Sequence, residues 1–340
     1  MIKTIDLALV GATDPVGEAV LALLEEREVP VGNLFLLAEQ NGTGHRVGFR
    51  GKYLTVRDVA GFDFSQVQAA LFAVTPEAAE TFVPKAAAAG CVCVDLSGRF
   101  AQEEDVPLVM PEVNPSAIAD YSLRNIIAGP SSAAVLLWTV LKPIYDAVGI
   151  ERINMVTLQA VSDGGKPAID ELAAQTVALL SMQETHNQIY PKQIAFNALP
   201  QVGGFEANGY TQGEMKLLWE SQKLLADSAI VVNATAVCVP VFHGHSLAVH
   251  VETAAKIDAR QARALLEATS GVTVIDSPEP GGYPTAVSEA AGSDAVFVGR
   301  IREDISHPKG LDLWVVADNI RRGVALNGVR IVEILVKEYM

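Results

Sequence analysis

Ser132 is the candidate nucleophile of this chain because of its place in the sequence. A short apolar run ends at Ala128, the turn Gly129–Ser131 follows, and Ser132 opens a long apolar segment that is typical of a helix. A nucleophile on such a turn lies at a helix N-terminus, where the helix dipole and free backbone N–H groups favour negative charge. Because a serine hydroxyl is a weak acid, this chemistry also needs a base.

A histidine would be the usual base, since imidazole can move a proton near neutral pH, and the chain has six histidines. Ser132 and His245 together permit a serine acyl hydrolase, although no Asp or Glu that would orient the imidazole can be placed from the sequence. His243 lies two positions from His245 and permits a metal pair. No third ligand stands nearby in the sequence, so we predict no metal site.

A turn with a glycine at each end follows the first apolar run and precedes a helical pattern, which is the context of a phosphate-binding turn. Glycines let the backbone approach a pyrophosphate closely, whereas the carboxylate of Asp14 opposes an anionic ligand. Two interpretations stay open: weak dinucleotide binding, or a strand–helix connection that keeps its glycines for packing. The candidate cofactor-binding residues of this turn are Gly11, Thr13, Asp14, Val16 and Gly17.

Glu39 follows the second predicted strand, where the ribose of a dinucleotide would lie. An acidic residue there suits a free 2′-hydroxyl better than a 2′-phosphate, and it is equally compatible with a solvated loop. We therefore expect NAD or NADP to bind weakly, with no preference for NADP.

The apolar pattern divides the chain into two parts. Apolar runs first alternate with helical patterns, which predicts a Rossmann-like, parallel, α/β domain. After Ser132 the runs become longer and richer in β-branched residues, which predicts an α+β dimerisation domain around a largely antiparallel sheet. Residues 1–131 and 319–340 are assigned to the dinucleotide-binding domain and 132–318 to the catalytic and dimerisation domain. Strands are predicted at 5–10, 33–38, 69–74, 92–96, 153–161, 229–239, 246–253, 296–301 and 313–317, and helices at 15–26, 77–89, 168–180, 214–224 and 319–339, with another from residue 132.

Composition argues against several classes of partner. There are 40 acidic and 25 basic residues, a net charge of −15, which disfavours binding to nucleic acid or to an anionic membrane. No uncharged apolar run is long enough to span a bilayer, and the first residues carry no signal-peptide pattern. Three cysteines are too few for a disulfide framework. We expect a cytoplasmic protein that binds neither nucleic acid nor membrane.

Three segments resemble the aspartate-semialdehyde dehydrogenases, and the resemblance extends over roughly residues 4–338. These segments are Val239–Ser246, Phe297–Arg302 and Asp318–Asn327, the last similar to the family's Asp-Asn-Leu-Arg-Lys-Gly-Ala-Ala-Leu-Asn. The resemblance implies roles for four retained residues. They are His245 as the acid/base, Gln159 as an orienting group for substrate, Lys216 as a phosphate-binding residue and Asn319 as a neighbour of the cofactor.

Other positions depart from the family pattern. The family's Asn-Pro-Asn-Cys-x-Thr turn is Gly129–Ala134 here, so Ser132 stands at the position of the nucleophilic cysteine. The arginine that grips the substrate carboxylate is replaced by Cys238, and the phosphate arginine by Ala101. Arg99, two residues from Ala101, is the candidate substrate-binding residue in its place. With these departures the chain resembles most the Usg-type paralogues of the bacterial enzyme, which lack the catalytic cysteine.

This combination implies a protein like aspartate-semialdehyde dehydrogenase that is degenerate or inactive for semialdehyde oxidation and keeps a pocket for a nucleotide or another, unidentified ligand. The alternative is an active NAD(P)-dependent oxidoreductase that acts on a different aldehyde or acyl compound. We also expect a homodimer, because the second domain has more apolar strand surface than its helices cover and the relatives pair through this sheet.

Overall fold

The computed structural model describes residues 4–340, which form two compact units. The first comprises residues 4–131 and Val324–Met340, and the second comprises Ser132–Gly323. In the structure the chain returns to the first unit at Val324, whereas the sequence placed this boundary at residue 319. The difference arises because the segment after Asp318 makes hydrogen bonds within the second unit. Asn319 donates a hydrogen bond to Ser162, and Arg322 donates one to Thr139.

A six-stranded parallel sheet forms the centre of the first unit, and the Rossmann-like prediction is confirmed. Its strand order is β5-β2-β1-β6-β7-β8, and β3 and β4 make a separate hairpin that the sequence pattern did not predict. Both faces of a parallel sheet are covered, so its strands are almost continuously apolar. The strands are β1 (Ile5–Val10), β2 (Val31–Ala38), β3 (Arg46–Phe49), β4 (Lys52–Thr55), β5 (Arg57–Asp58), β6 (Ala69–Phe72), β7 (Val92–Asp95) and β8 (Ile126–Ala128).

Three α-helices belong to the first unit: α1 (Pro15–Glu26), α2 (Pro76–Ala88) and the C-terminal helix Leu326–Ile334, which continues into the π-helical turn Leu335–Tyr339; Pro115–Leu123 is a 3-10 helix. Helix α1 begins with Pro15, whose fixed φ suits a first helical position. Its apolar stripe is buried in one core with the apolar side of the C-terminal helix. This core holds the carboxyl ends of β1 and β2 in place, and the candidate phosphate-binding turn lies at that edge of the sheet.

A second six-stranded sheet organises the other unit, in the order β10-β9-β11-β14-β13-β12. Its three inner pairings are antiparallel and its two outer pairings are parallel, which confirms a mixed, largely antiparallel sheet. The strands are β9 (Ile150–Gln159), β10 (Val231–Cys238), β11 (His245–Thr253), β12 (Val272–Val274), β13 (Val296–Glu303) and β14 (Gly310–Ala317).

One face of this sheet is covered by helix and the other is not. Burial alternates along β9 and β10, with Ile153 and Val232 buried and Val156 and Val231 exposed, as expected for a sheet packed on one side. The helices are α3 (Ser132–Val148), α4 (Gly165–Leu180), α5 (Gln212–Leu225) and α6 (Ala259–Glu267). Across residues 4–340, no helix is both long and apolar enough to cross a membrane.

Candidate active site

Ser132 is the first residue of α3 and is 5% exposed. Gly323 packs against it so closely that a Cβ on this glycine would lie 2.8 Å from Ser132 Cβ. The Ser132 hydroxyl donates a hydrogen bond to Asp163 Oδ1 at 3.2 Å. The candidate nucleophile is therefore held at a helix N-terminus, as predicted, but against a carboxylate that the sequence did not reveal.

His245 begins β11 and is fully buried. The backbone N–H of Ala160 donates a hydrogen bond to His245 Nδ1 at 3.1 Å, so Nδ1 is an acceptor. The neutral ring consequently carries its proton on Nε2. That nitrogen faces Asp163, with 3.5 Å between His245 Nε2 and Asp163 Oδ1. In this arrangement the imidazole presents a donor to the site, not the lone pair that a base for Ser132 would need.

Asp163 lies between the other two groups, in the turn Val161–Gly164 that follows β9. A hydrolytic triad would place the imidazole between the hydroxyl and the carboxylate, so this order does not form one. Desolvation raises the pKa of the Asp163 carboxyl, but the contact with His245, the hydrogen bond from the Ser132 hydroxyl and the charge of Lys216 outweigh it and hold the pKa below its usual value. Asp163 is therefore an ionised group at the centre of the site.

Asn319 connects the two segments that carry His245 and Asp163. Its side chain is 1% exposed; Oδ1 accepts from the backbone N–H of Gly244 at 2.9 Å, and Nδ2 donates to the Ser162 hydroxyl at 3.1 Å. Gly244 has φ +91°, a conformation that favours glycine. In the structure, the Asn319 side chain holds together two segments of the candidate site, both in the second unit. Its predicted role beside a cofactor stays a prediction.

Gln159 and Lys216 belong to the same unit as Ser132 and His245. Gln159 ends β9, pairs in register with Cys238 of β10, and donates from Nε2 to the Thr157 hydroxyl at 3.1 Å. Lys216 lies on α5 and acts on Asp163 through its charge. The four residues retained from the family pattern, Gln159, Lys216, His245 and Asn319, therefore lie in one unit with Ser132.

A cavity of about 340 Å³ opens beside these groups. Gln159, Asp163 and Cys238 line it from the sheet side, and Tyr190 lines it from the long excursion between α4 and α5. The Cys238 thiol donates to the Tyr190 hydroxyl at 3.5 Å. Burial raises the pKa of the Cys238 thiol, and burial together with the contact to Cys238 raises the pKa of Tyr190. Both groups are therefore neutral walls of the cavity.

Two polar residues of α4 order the excursion between α4 and α5. The buried Glu171 carboxylate accepts backbone N–H groups from Gln188 at 2.9 Å and Ile189 at 2.5 Å. Gln175 Oε1 accepts the backbone N–H of Ile194 at 2.9 Å. These bonds fix the segment that carries Tyr190 to the cavity, so Glu171 and Gln175 are further site residues that sequence reasoning missed.

The candidate phosphate-binding turn of the first unit has the right backbone but an unfavourable charge. A Cβ on Gly11 would lie 1.9 Å from the carbonyl oxygen of Ala73, and one on Gly17 would lie 2.0 Å from that of Gly11. Both glycines are therefore required by packing within the protein. Burial, Glu18 and Glu39 together raise the pKa of Asp14. That carboxylate already experiences negative charge before any phosphate arrives.

The remaining cofactor and substrate candidates also lie in the first unit. Thr13 precedes Asp14 in the turn, Val16 is the second residue of α1, and Glu39 precedes the short helical turn Gln40–Gly42. Arg99 donates to Glu103 at 3.0 Å and to Glu80 at 3.1 Å, so its guanidinium is engaged by two carboxylates. Its role as a substrate-binding residue stays a prediction. No group of three or more His, Cys, Asp or Glu side chains within residues 4–340 is arranged to hold a metal ion.

Comparisons with known proteins agree with this architecture. Residues 6–121 match the NAD binding domain of semialdehyde dehydrogenase, and residues 141–322 match the dimerisation domain of semialdehyde dehydrogenase. The chain belongs to the aspartate-semialdehyde dehydrogenase family. The predicted family resemblance is thereby confirmed.

Full-length relatives place the chain well inside this family. An aspartate-semialdehyde dehydrogenase of Legionella pneumophila is 52% identical over 340 residues, which cover 100% of this chain and 98% of the relative. Aspartate-semialdehyde dehydrogenase 2 of Vibrio cholerae is 50% identical over 339 residues and 100% of both chains. A crystal structure of aspartate semialdehyde dehydrogenase II from Vibrio cholerae, complexed with ASA, has a TM-score of 0.97 at 50% identity and covers 99% of this chain and 100% of the other.

Proposed function

We propose that this family member binds a small molecule in the cavity of its second unit and does not oxidise aspartate semialdehyde through a covalent thioester. The contact of Ser132 with Asp163 at 3.2 Å carries this proposal. The covalent route implied by the family resemblance needs a nucleophile that becomes anionic. A hydroxyl is a weaker acid than a thiol, and an ionised carboxylate beside it opposes the anion further.

Cys238 supports the same proposal. The family resemblance places a carboxylate-gripping arginine at this position, and a guanidinium positions a carboxylate by two parallel hydrogen bonds. The Cys238 thiol offers neither the charge nor the geometry for this contact, and it already donates a hydrogen bond to Tyr190. With both the nucleophile and the carboxylate grip replaced, assignment to the Usg-type paralogues follows as part of this proposal.

For the cofactor we propose weak binding of NAD or NADP. The match to a semialdehyde dehydrogenase NAD binding domain supports a dinucleotide site. The raised pKa of Asp14 indicates that this position is unfavourable for negative charge, which argues for weak binding of the dinucleotide's pyrophosphate. The retained domain also favours a second candidate function, an NAD(P)-dependent oxidoreductase that acts on a different aldehyde or acyl compound. A serine hydrolase has less support, because His245 turns a donor toward Asp163.

An assay of the purified protein tests these alternatives. Aspartate semialdehyde, phosphate and NAD or NADP are supplied, and reduced nicotinamide is followed by absorbance, with the Vibrio cholerae relative as the positive control. We expect no phosphate-dependent reduction. Turnover near ordinary enzyme rates, lost in Ser132→Ala, would overturn the proposal. Reduction with other aldehydes alone would select the second candidate, and hydrolysis of p-nitrophenyl acetate that is lost in Ser132→Ala would select the hydrolase.

A further inference from the structure

One oxygen of Asp163 is engaged and the other is not. Both Ser132 Oγ and His245 Nε2 approach Oδ1, at 3.2 and 3.5 Å. Among residues 4–340, no protein group makes a hydrogen bond to Oδ2. The Asp163 side chain is 41% exposed and lines the cavity of about 340 Å³. The wall of the cavity therefore includes a carboxylate that has one oxygen without a hydrogen bond from the protein.

The rest of the described cavity wall carries no formal charge. Its polar groups are the side chains of Gln159, Tyr190, Gln201 and Cys238, and its apolar surface includes Ile189 and Val202. Lys216 acts on Asp163 through space but does not line the cavity. A ligand carboxylate would consequently meet Asp163 with no lining cation to pair with, whereas a cationic donor would form a charge-assisted hydrogen bond.

We propose that this cavity binds a small primary amine that lacks a carboxylate, with its ammonium group on Asp163 Oδ2. The inference rests on the proposed function, since it takes the cavity to be a binding site without thioester chemistry. A volume of about 340 Å³ is at the lower end for ligand pockets, so the ligand is small. The amides of Gln159 and Gln201 suit a second, neutral polar group on the ligand.

Three probes of nearly equal size separate charge from shape: 4-aminobutanamide carries an ammonium group, succinamate a carboxylate and butanamide neither. Binding of each to the full-length protein is measured by calorimetry at neutral pH. We expect 4-aminobutanamide to bind at least about tenfold more tightly than butanamide, equivalent to about 1.4 kcal/mol, and succinamate to bind most weakly. Equal binding of all three, or preference for succinamate, would overturn the inference.

Matched variants test whether Asp163 causes the preference for the amine. Asp163→Asn should abolish the preference for the amine, while Asp170→Asn, which removes an exposed carboxylate from the nearby helix α4, should keep it. Cys238→Arg should weaken binding of the amine, because it places a cation in the wall of the cavity. Unfolding curves for each variant report whether it is folded, and loss of the preference in Asp170→Asn would contradict the assignment to Asp163. Dehydrogenase turnover with aspartate semialdehyde would instead refute the proposed function, so the two failures are distinguishable.

Discussion

The hydroxyl of Ser132 donates a hydrogen bond to the carboxylate of Asp163, with 3.2 Å between the two oxygen atoms. A helix N-terminus favours negative charge by about 0.3–1 kcal/mol at exposed positions. At the N-terminus of α3 that negative charge is already supplied by the Asp163 carboxylate. A second anion at the Ser132 oxygen would lie within hydrogen-bonding distance of the first. This contact is the reason that the proposed function excludes covalent chemistry at Ser132.

Asn319→Ala should destabilise the second unit, because it leaves the buried N–H of Gly244 and the hydroxyl of Ser162 without their partner. We expect a loss of about 2 kcal/mol in the free energy of unfolding, measured in urea. Asn197→Ala is the matched control: its side chain also makes hydrogen bonds, but it is exposed and water can replace them. Equal losses in the two variants would show that Asn319 has no special positioning role.

NADP should bind no better than NAD, since Glu39 and Asp14 place carboxylates where extra phosphate charge would need cations. Asp14→Gly removes the carboxylate from the candidate phosphate-binding turn and should strengthen binding of both nucleotides by about tenfold, or about 1.4 kcal/mol. Glu28→Gly is a control that removes an exposed carboxylate beyond the end of α1. Titration by fluorescence checks both statements, and a tenfold advantage of NADP in the unaltered protein would contradict the first.

Asp14 and Asp163 should affect stability with opposite signs. The pKa of Asp14 is raised in the folded protein, so its ionisation opposes folding above that pKa, and Asp14→Asn should stabilise by about 0.5 kcal/mol at pH 7. The pKa of Asp163 is lowered, so its contribution is complete above the unfolded value of about 3.9 and is lost as pH falls through the folded value. Asp163→Asn should therefore destabilise by about 0.5–1 kcal/mol at pH 7.

The measurement is urea unfolding of both variants between acid and neutral pH. Each difference from the unaltered protein should shrink toward zero in acid, where the carboxyl is protonated in the folded and unfolded states alike. Two differences of the same sign at pH 7 would refute this account of the two groups.

The chain should form a homodimer through the open face of its second sheet, where Val156 is 39% and Val231 is 50% exposed. A match to a dimerisation domain supports this, and self-complementary pairing is the common way to cover such a face. Light scattering should give twice the chain mass at micromolar concentration, and Val156→Glu should reduce it toward that of one chain. Val177→Glu alters a valine of α4 that is 64% exposed and should not change the mass.

Much of the fold could be predicted because its strongest elements have local signals. The strand Ile5–Val10 is a continuous apolar run, and the helix Pro15–Glu26 begins with proline and carries one apolar stripe. Helix α6 was missed because only Ala262 and Leu266 of its residues are buried, although the capping box formed by Asp258 and Gln261 was a usable signal. Strand β12 was missed because it is short and only half buried.

The residues of the candidate site likewise include some that the sequence indicated and others that it did not. Ser132 and His245 could be found because each lies in a motif, whereas Asp163 has no motif and acquires its role from two residues distant in sequence. Glu171 was equally hidden, since its partners are backbone N–H groups of an irregular segment. Contacts that depend on tertiary packing leave no periodic signal, so carboxylates of this kind are found only once the chain is folded.

Ser132→Cys alone should not restore dehydrogenase activity. The new thiol would lie beside Asp163, whose charge disfavours the thiolate, and His245 would offer it a donor rather than a base. Alkylation of the new thiol by iodoacetamide, followed by mass spectrometry of its peptide, should be slow at pH 7. In Ser132→Cys combined with Asp163→Asn, it should be about tenfold faster, corresponding to a drop of about one unit in the thiol pKa.

The native thiols, all buried, are the internal control for this labelling. Turnover should require more changes still, because Cys238 cannot grip a carboxylate, Ala101 cannot hold phosphate and Asp14 opposes the pyrophosphate. These defects act on different steps of one reaction, so repairing one leaves the others limiting. Activity should appear only when Ser132→Cys and Asp163→Asn are joined by Cys238→Arg, Ala101→Arg and Asp14→Gly. If the single Ser132→Cys variant oxidised aspartate semialdehyde with NADP, this explanation of the other positions would be wrong.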